Sequence, residues 1–192
     1  MKEMLRMILV LSLICGLSGL TLATVRQATS ERIEEQVLTY VQGPALQQIF
    51  TDYDNNPVKD RKTFELPDGP ITVFPAIKNG KLTGIAFERF GKGYGGPIGI
   101  MVGFSTDGTK LEGIGITTMK ETPGLGARIV EPDFRTQFKG HATQNINLKK
   151  QGGDITAISG ATISSTGTVS AVNDAIKIFN KIKDKLPSTW DS

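Results

Sequence analysis

The chain has 192 residues, a length that suggests one domain plus an appendage, and its 22 Lys and Arg against 19 Asp and Glu leave a charge too mild to argue for a nucleic-acid partner. A single cysteine, Cys15, excludes a disulfide, an iron–sulfur site or a Cys-based zinc site within the chain. A single histidine, His141, expected in an exposed loop after a Lys-Gly turn signal, and the lack of a G-x-S-x-G elbow weaken any hydrolase reading. No residue is assigned as catalytic or as a metal ligand, so a redox protein of this composition has to borrow its electron carrier.

Between Arg6 and Arg26 run 19 uncharged residues, barely enough to span a bilayer, which takes about 20 apolar residues as a helix. The first reading is a retained anchor. A secretory signal cleaved near Ala23 or Ala28 competes with it, as does a lipoprotein signal at Cys15, which is weakened by Ile14 where a small residue is wanted. All three take the rest of the chain to a membrane or across it. Lys2 and Arg6 before the run, against Arg26 and Arg32 behind it, nearly tie the positive-inside comparison. The very short N-terminus is easiest to leave in the cytoplasm, which puts the following domain outside. Ser30 as a cap, Glu31, Glu34 and Glu35 near the positive end, and Ile33, Val37 and Tyr40 on one face predict a helix to about Val41. Gly43-Pro44 is expected to end it. A short apolar pattern at Leu46, Ile49 and Phe50 follows, and the polar residues 52–63 read as a surface loop.

The centre of the chain reads as a sheet. Ile71–Ile77 and Lys81–Phe87 are apolar, β-branched runs joined through Asn79-Gly80, and Ile98–Phe104 and Leu111–Thr117 flank Asp107-Gly108 in the same way. Two consecutive hairpins imply an antiparallel sheet, with Pro75 suited to an edge strand. A helix is expected from about Gly126 to Phe138, kinked or split by Pro132. The last helix is the clearest element: Val169, Val172, Ile176, Phe179, Ile182 and Leu186 define one buried face. Ser164, Ser165 or Thr166 is expected to cap its start, and Pro187 to end it. Lys177, Lys181, Lys183 and Lys185 lie on its polar face as a solvated surface. The fold class is α+β, an antiparallel sheet with flanking helices preceded by one N-terminal transmembrane helix.

Ser159-Gly160-Ala161-Thr162 sits immediately before that last helix. Gly160 permits unusual backbone angles, Ala161 keeps the neighbourhood uncrowded, and a helix start offers free amides and a positive dipole end to a phosphate. The residues alone leave two readings open, a capped turn before a helix and a phosphate site.

The segment Ile158–Ser165, ISGATISS, resembles the flavinylation motif of the FMN-binding domain family, found in the G subunit of the Rnf electron transport complex and the C subunit of the sodium-pumping NADH:quinone reductase. Gly91–Ile98, GKGYGGPI, and Glu121–Gly126, ETPGLG, agree with the family in order and spacing. The resemblance spans about residues 71–182 together with the anchor, and the short length is more like the Rnf protein. It implies an FMN joined through its phosphate to Thr162, transferred from FAD by a magnesium-dependent flavin transferase. Ser159, Gly160 and Ala161 would then surround the attachment point. Thr122, Gly124, Leu125 and Gly126 would lie against the ring, with Glu121 orienting their loop, and Tyr94, Gly95 and Gly96 would support the site. Met119 stands where relatives often carry a histidine, and Thr156 where many carry an aspartate.

The implied organisation is a membrane anchor in residues 1–27, a helical and loop connector in 28–70, an FMN-binding domain in 71–187 and a tail in 188–192. The implied function is electron transfer in an Rnf-type membrane complex that links ferredoxin:NAD oxidoreduction to ion translocation, with the other subunits as partners. The expected location is the inner (cytoplasmic) membrane, single-pass, with the FMN domain on the extracytoplasmic side. Competing readings are a stand-alone exported flavoprotein, a protein like the quinone-reductase C subunit, and an exported module that holds a phosphorylated ligand reversibly.

Overall fold

The computed structural model describes residues 1–190, which form two compact units, Met1–Leu38 and the chain from Thr39 onward. The first is essentially one helix, α1 (Lys2–Val37), with none of its residues buried. At 1.5 Å per residue it is roughly 54 Å long, and it is long and apolar enough to cross a membrane. Inside the apolar run the hydroxyls of Thr21 and Thr24 donate to the carbonyls of Leu17 and Leu20 (2.8 and 2.7 Å), which satisfies them within the helix. The helix predicted to begin at Ser30 is a continuation of α1. No glycine or proline interrupts residues 20–42, and the Ser30 hydroxyl bonds back to the Gln27 carbonyl (2.9 Å) rather than capping a new start.

A π-helical turn, Leu38–Gln42, leads into α2 (Gly43–Ile49). Gly43-Pro44, expected to end a helix, instead opens one. Proline lacks only an N–H that the first turn leaves unbonded anyway.

Five strands follow: β1 (Lys62–Phe64), β2 (Ile71–Lys78), β3 (Lys81–Lys92), β4 (Pro97–Ser105) and β5 (Leu111–Thr118). They pair in sequence order and are antiparallel throughout. Asn79 and Gly80 both have positive φ (50° and 73°), the conformation that a two-residue hairpin loop of the right twist demands. The sheet gains one strand and one hairpin over the two pairs predicted. β1 arises at the end of the stretch read as a loop, and β3 runs on to Lys92 before turning into β4. β1 pairs with β2 only from Ile71 to Val73, so Pro75 faces no outer strand, and the Asn55 side chain bonds the Pro75 carbonyl and the Ile77 amide in its place (3.1 and 2.9 Å).

Helices cover both faces of the sheet. On one lies α4 (Thr162–Ile182), where Phe104 stacks between Phe87 and Phe179 with ring centroids 5.4 and 4.7 Å apart. Of the predicted stripe, Val169, Val172, Phe179 and Ile182 are buried, joined by Ala171, Ala175 and Ile178, while Ile176 turns partly outward. On the other face α2 sits so close that a Cβ on Gly103 would lie 2.1 Å from Ile49 Cγ2. Pro132 splits the predicted 126–138 helix into a 3₁₀ turn at Gly126–Val130, α3 (Pro132–Arg135) and a second 3₁₀ turn at Thr136–Phe138. Pro187 opens α5 (Pro187–Trp190). Within the segment read as a tail, Trp190 is buried, packs on Phe64 and donates its indole N–H to the Asp60 carbonyl (3.0 Å). Residues 191 and 192 of that segment lie outside the described residues.

His141 is drawn in rather than exposed, with a side chain 13% accessible. Its Nε2 bonds Asp154 (2.8 Å) and its Nδ1 the Ala142 carbonyl (2.6 Å). Burial alone would push the imidazolium pKa down, but the bonds to Ala142 and Asp154 and the charge of Asp154 outweigh it, so the net shift is upward from 6.5.

Two outcomes follow from this packing. Phe104→Ala removes a fully buried ring and should cost about 3–5 kcal/mol, read as a lower melting temperature of the full chain in detergent. The His141 pair, with its folded pKa raised, stabilises the fold in full below pH 6.5 and loses that contribution as pH rises through the folded value. The one imidazole signal in an NMR titration should therefore give a pKa above 6.5, and Asp154→Asn should bring it down.

Candidate functional site

Three segments far apart in sequence meet around one carboxylate. Glu121, in the loop after β5, is 8% exposed. Its Oε1 accepts the Gly95 amide at the tip of the β3–β4 hairpin (2.9 Å), and its Oε2 accepts the Ser164 hydroxyl in the first turn of α4. Hydrogen bonds to a carboxylate are stronger than neutral ones, and a carboxylate buried without them would be costly. The surroundings leave no slack, because a Cβ on Gly126 would lie 2.3 Å from Glu121 Oε2 and 2.6 Å from Ser164 Oγ. Nearby the backbones of β3 and α4 touch, and a Cβ on Gly91 would stand 2.0 Å from the Gly167 carbonyl oxygen.

The approach to α4 is a closed turn. The Ala161 amide donates to the Ile158 carbonyl (3.0 Å), and Gly160 inside the turn has φ of 77°, a region that favours glycine. Ser165 is buried beneath it, accepting the Ile158 amide (3.0 Å) and donating to the Ala161 carbonyl (2.9 Å). The expected serine caps are therefore absent. Ser164 and Ser165 point inward and are taken by Glu121 and by the turn, and Thr166 bonds back to the Thr162 carbonyl (2.8 Å). The N-cap is Ala161, with no side-chain cap and no acidic residue in the first turn. The opening amides of a 21-residue helix are thus left for an outside acceptor, and Thr162, its first residue, is exposed.

Beside this helix start lies a cleft of about 500 Å³, lined by Tyr94, Glu121, Thr122, Leu125, Gly126 and residues 160–164. Tyr94, Leu125 and Ile163 offer exposed apolar surface to this cleft (75%, 47% and 52% exposed), and the exposed Thr162 at the uncapped start of α4 borders it. A flat ring system carrying a phosphate fits both halves of this arrangement.

Of the residues singled out in the sequence, Thr162, Gly160, Ala161, Glu121, Thr122, Leu125, Gly126 and Tyr94 line the cleft. Gly95 reaches it through Glu121, while Gly96 closes the hairpin by accepting the Gly93 amide (2.8 Å). Gly124 has φ of 75° in the turn that carries Leu125. Ser159 instead lines two other clefts, one of about 370 Å³ that Thr162 also borders, with Lys149, Lys150, Gln151 and Thr156, and one of about 520 Å³ with Arg128, Glu131 and Asp133. Thr156 is fixed by its backbone, both of whose polar groups bond Gln137 (2.7 and 3.2 Å), and Met119 packs against the core. Ile163 escaped the sequence reading as a cleft residue, and Ser164, read as a cap, is turned inward, because nothing in the spelling separates a serine that caps from one turned inward.

The FMN-binding domain model matches residues 93–177. The G subunit of the ion-translocating oxidoreductase complex of Cereibacter sphaeroides is 30% identical over 93% of this chain and 85% of that protein. The chain belongs to this G-subunit family. A further member, the G subunit of the proton-translocating ferredoxin:NAD(+) oxidoreductase complex of Clostridium ljungdahlii, is 30% identical over 87% of the chain and 86% of its own length. The crystal structure of Shewanella oneidensis NqrC aligns with a TM-score of 0.53 and 22% identity over 69% of this chain and 71% of that one, which gives the family's fold a solved counterpart. All three segments that meet at Glu121 fall at least partly within the matched domain.

Glu121→Ala should cost about 2–3 kcal/mol, because it strands the buried Ser164 hydroxyl and frees the Gly95 amide. Glu121→Gln, which keeps the shape and one acceptor, should lose less. Thermal unfolding ranks the two, and faster hydrogen exchange at Gly95 in the alanine variant locates the loss.

Proposed function

We propose that this chain is the FMN-carrying electron-transfer subunit of an Rnf-type, ion-translocating oxidoreductase complex, with the flavin joined through its phosphate to Thr162. The observation that carries the proposal is the exposed hydroxyl of Thr162 at the uncapped start of α4, beside an apolar cleft, within the matched FMN-binding domain. FMN, when bound, supplies the electron-accepting and electron-donating chemistry. The chain's own residues hold and surround it. The opening amides of α4 receive the phosphate, Tyr94, Leu125 and Ile163 shield the ring from water, and the Thr122 hydroxyl offers a polar contact at the rim. Glu121 acts at one remove, fixing the hairpin tip and the helix start that form the walls.

Loading requires a flavin transferase as partner. The Thr162 oxygen bonds to the FMN-side phosphorus of FAD, the pyrophosphate bond breaks, AMP leaves, and the hydroxyl proton passes to a base of the transferase. The bond is remote from the ring, so it serves retention. A permanent tether suits a domain on the extracytoplasmic side of the membrane, where a lost flavin is not readily replaced, with residues 1–27 as the anchor. Relatives named as ferredoxin:NAD(+) and ion-translocating oxidoreductase subunits support an assembly with further membrane and peripheral subunits.

Protein from the native host should show a flavin-fluorescent band on a denaturing gel. Its peptide spanning Thr162 should be heavier by one FMN less water, and Thr162→Ala should lose both. An unmodified wild-type peptide in a host with an active transferase refutes the attachment.

A further inference from the structure

Thr162 borders two clefts of unlike character. The first is walled by Tyr94, Leu125 and Ile163. The second is lined by Lys149, Lys150, Gln151, Thr156 and Ser159, with no carboxylate in its lining. Among the described residues neither lysine is in an ion pair with a carboxylate. Asp154, the acidic residue nearest in sequence, is bonded to His141, which holds its carboxyl below the ordinary range, and the charge of Lys149 acts on it in the same direction without an ion pair.

The backbone that carries the two lysines, whose side chains are exposed, is also held in place. They open a 3₁₀ turn, Lys149–Gln151, that ends at Gly152 with φ of 83°. The Lys149 amide donates to the Ile155 carbonyl (2.9 Å), the Ile155 amide to the Asn147 carbonyl (3.1 Å), and the Gly153 amide to the Leu148 carbonyl (3.1 Å). Leu148 and Ile155, paired in an isolated parallel bridge, are buried in the main core. The segment from Ile155 then runs directly into the Ile158–Ala161 turn. The lysine turn and the start of α4 are thus parts of one braced unit.

We infer that Lys149 and Lys150 form the anion subsite of the flavin site, holding the charge of the FMN phosphate from the second cleft while the ring lies in the first. The inference rests on the reading of FMN at Thr162 and adds the groups that neutralise it. Helix amides offer partial charge to a phosphate, whereas two ammonium groups offer full charge. The ring is left to the apolar cleft. This division explains why Thr162 borders both.

The test uses the full chain in detergent, made in a host without flavin transferase so that Thr162 stays free. FMN and riboflavin, which lacks the phosphate, are titrated separately at low salt and followed by flavin fluorescence. The wild type should bind FMN about five- to tenfold more tightly than riboflavin, and the preference should shrink at high salt. The double variant K149Q/K150Q should bring the ratio within about twofold while riboflavin affinity stays unchanged. K149R/K150R and the distant K81Q should keep the preference. The inference is overturned if K149Q/K150Q retains the full preference, if the wild type does not distinguish the two flavins, or if it binds neither. A retained preference in K149Q/K150Q alongside a modified Thr162 in native-host protein removes the lysine subsite alone. An unmodified Thr162 removes the covalent reading, and the affinity ratio still judges the lysines.

Discussion

The site depends on a single buried carboxylate with two partners. Glu121 receives a backbone amide from one hairpin tip and a hydroxyl from the first turn of α4, and its own loop forms the wall between them. Each of these segments is glycine-rich and would otherwise be loosely determined. A buried carboxylate converts that looseness into a defined geometry, since its two oxygens can be satisfied only when both partners are in place. The close fit of Gly126 against Glu121 and Ser164 works in the same direction, because it leaves no room for a side chain at position 126.

The sheet supplies the stage for this arrangement. β3 is 12 residues long and overruns its neighbour β2, carrying the Gly93–Gly96 tip out to the end of α4. There the strand and helix backbones touch through Gly91 and Gly167. Phe87, Phe104 and Phe179 fix the same helix to the same sheet further along. The start of α4 is therefore positioned by core packing at one end and by backbone contact at the other, and its exposed first residue inherits that rigidity.

Much of this was legible in the sequence. The hairpin turns at Asn79-Gly80 and Asp107-Gly108, the stripe of α4 and the three glycine-bearing motifs carry strong local signals, because turn chemistry and helical period are properties of neighbouring residues. What escaped depended on partners elsewhere. β1 has only three residues and exists through its pairing with β2. Ser164 and Ser165 look like caps until Glu121 and the Ile158 turn claim them. Trp190 seemed part of a tail until Phe64 and the Asp60 carbonyl gave it a place. Ser30 read as a helix start, but nothing before it stops α1. The second cleft gave no sign in the sequence, because Lys149 and Lys150 precede Thr162 by a dozen residues and reach it only through the folded 148–158 loop.

The partners of Glu121 lie 26 and 43 residues from it along the chain, and this separation has a temporal consequence. A newly made polypeptide spells out the same threonine motif before it has any helix start or cleft to present, and the three segments come together only once the sheet has closed and α4 has docked. On the proposed attachment, maturation of this protein is ordered, with folding first and loading second. The flavin then marks chains that have already passed the test of assembling their site.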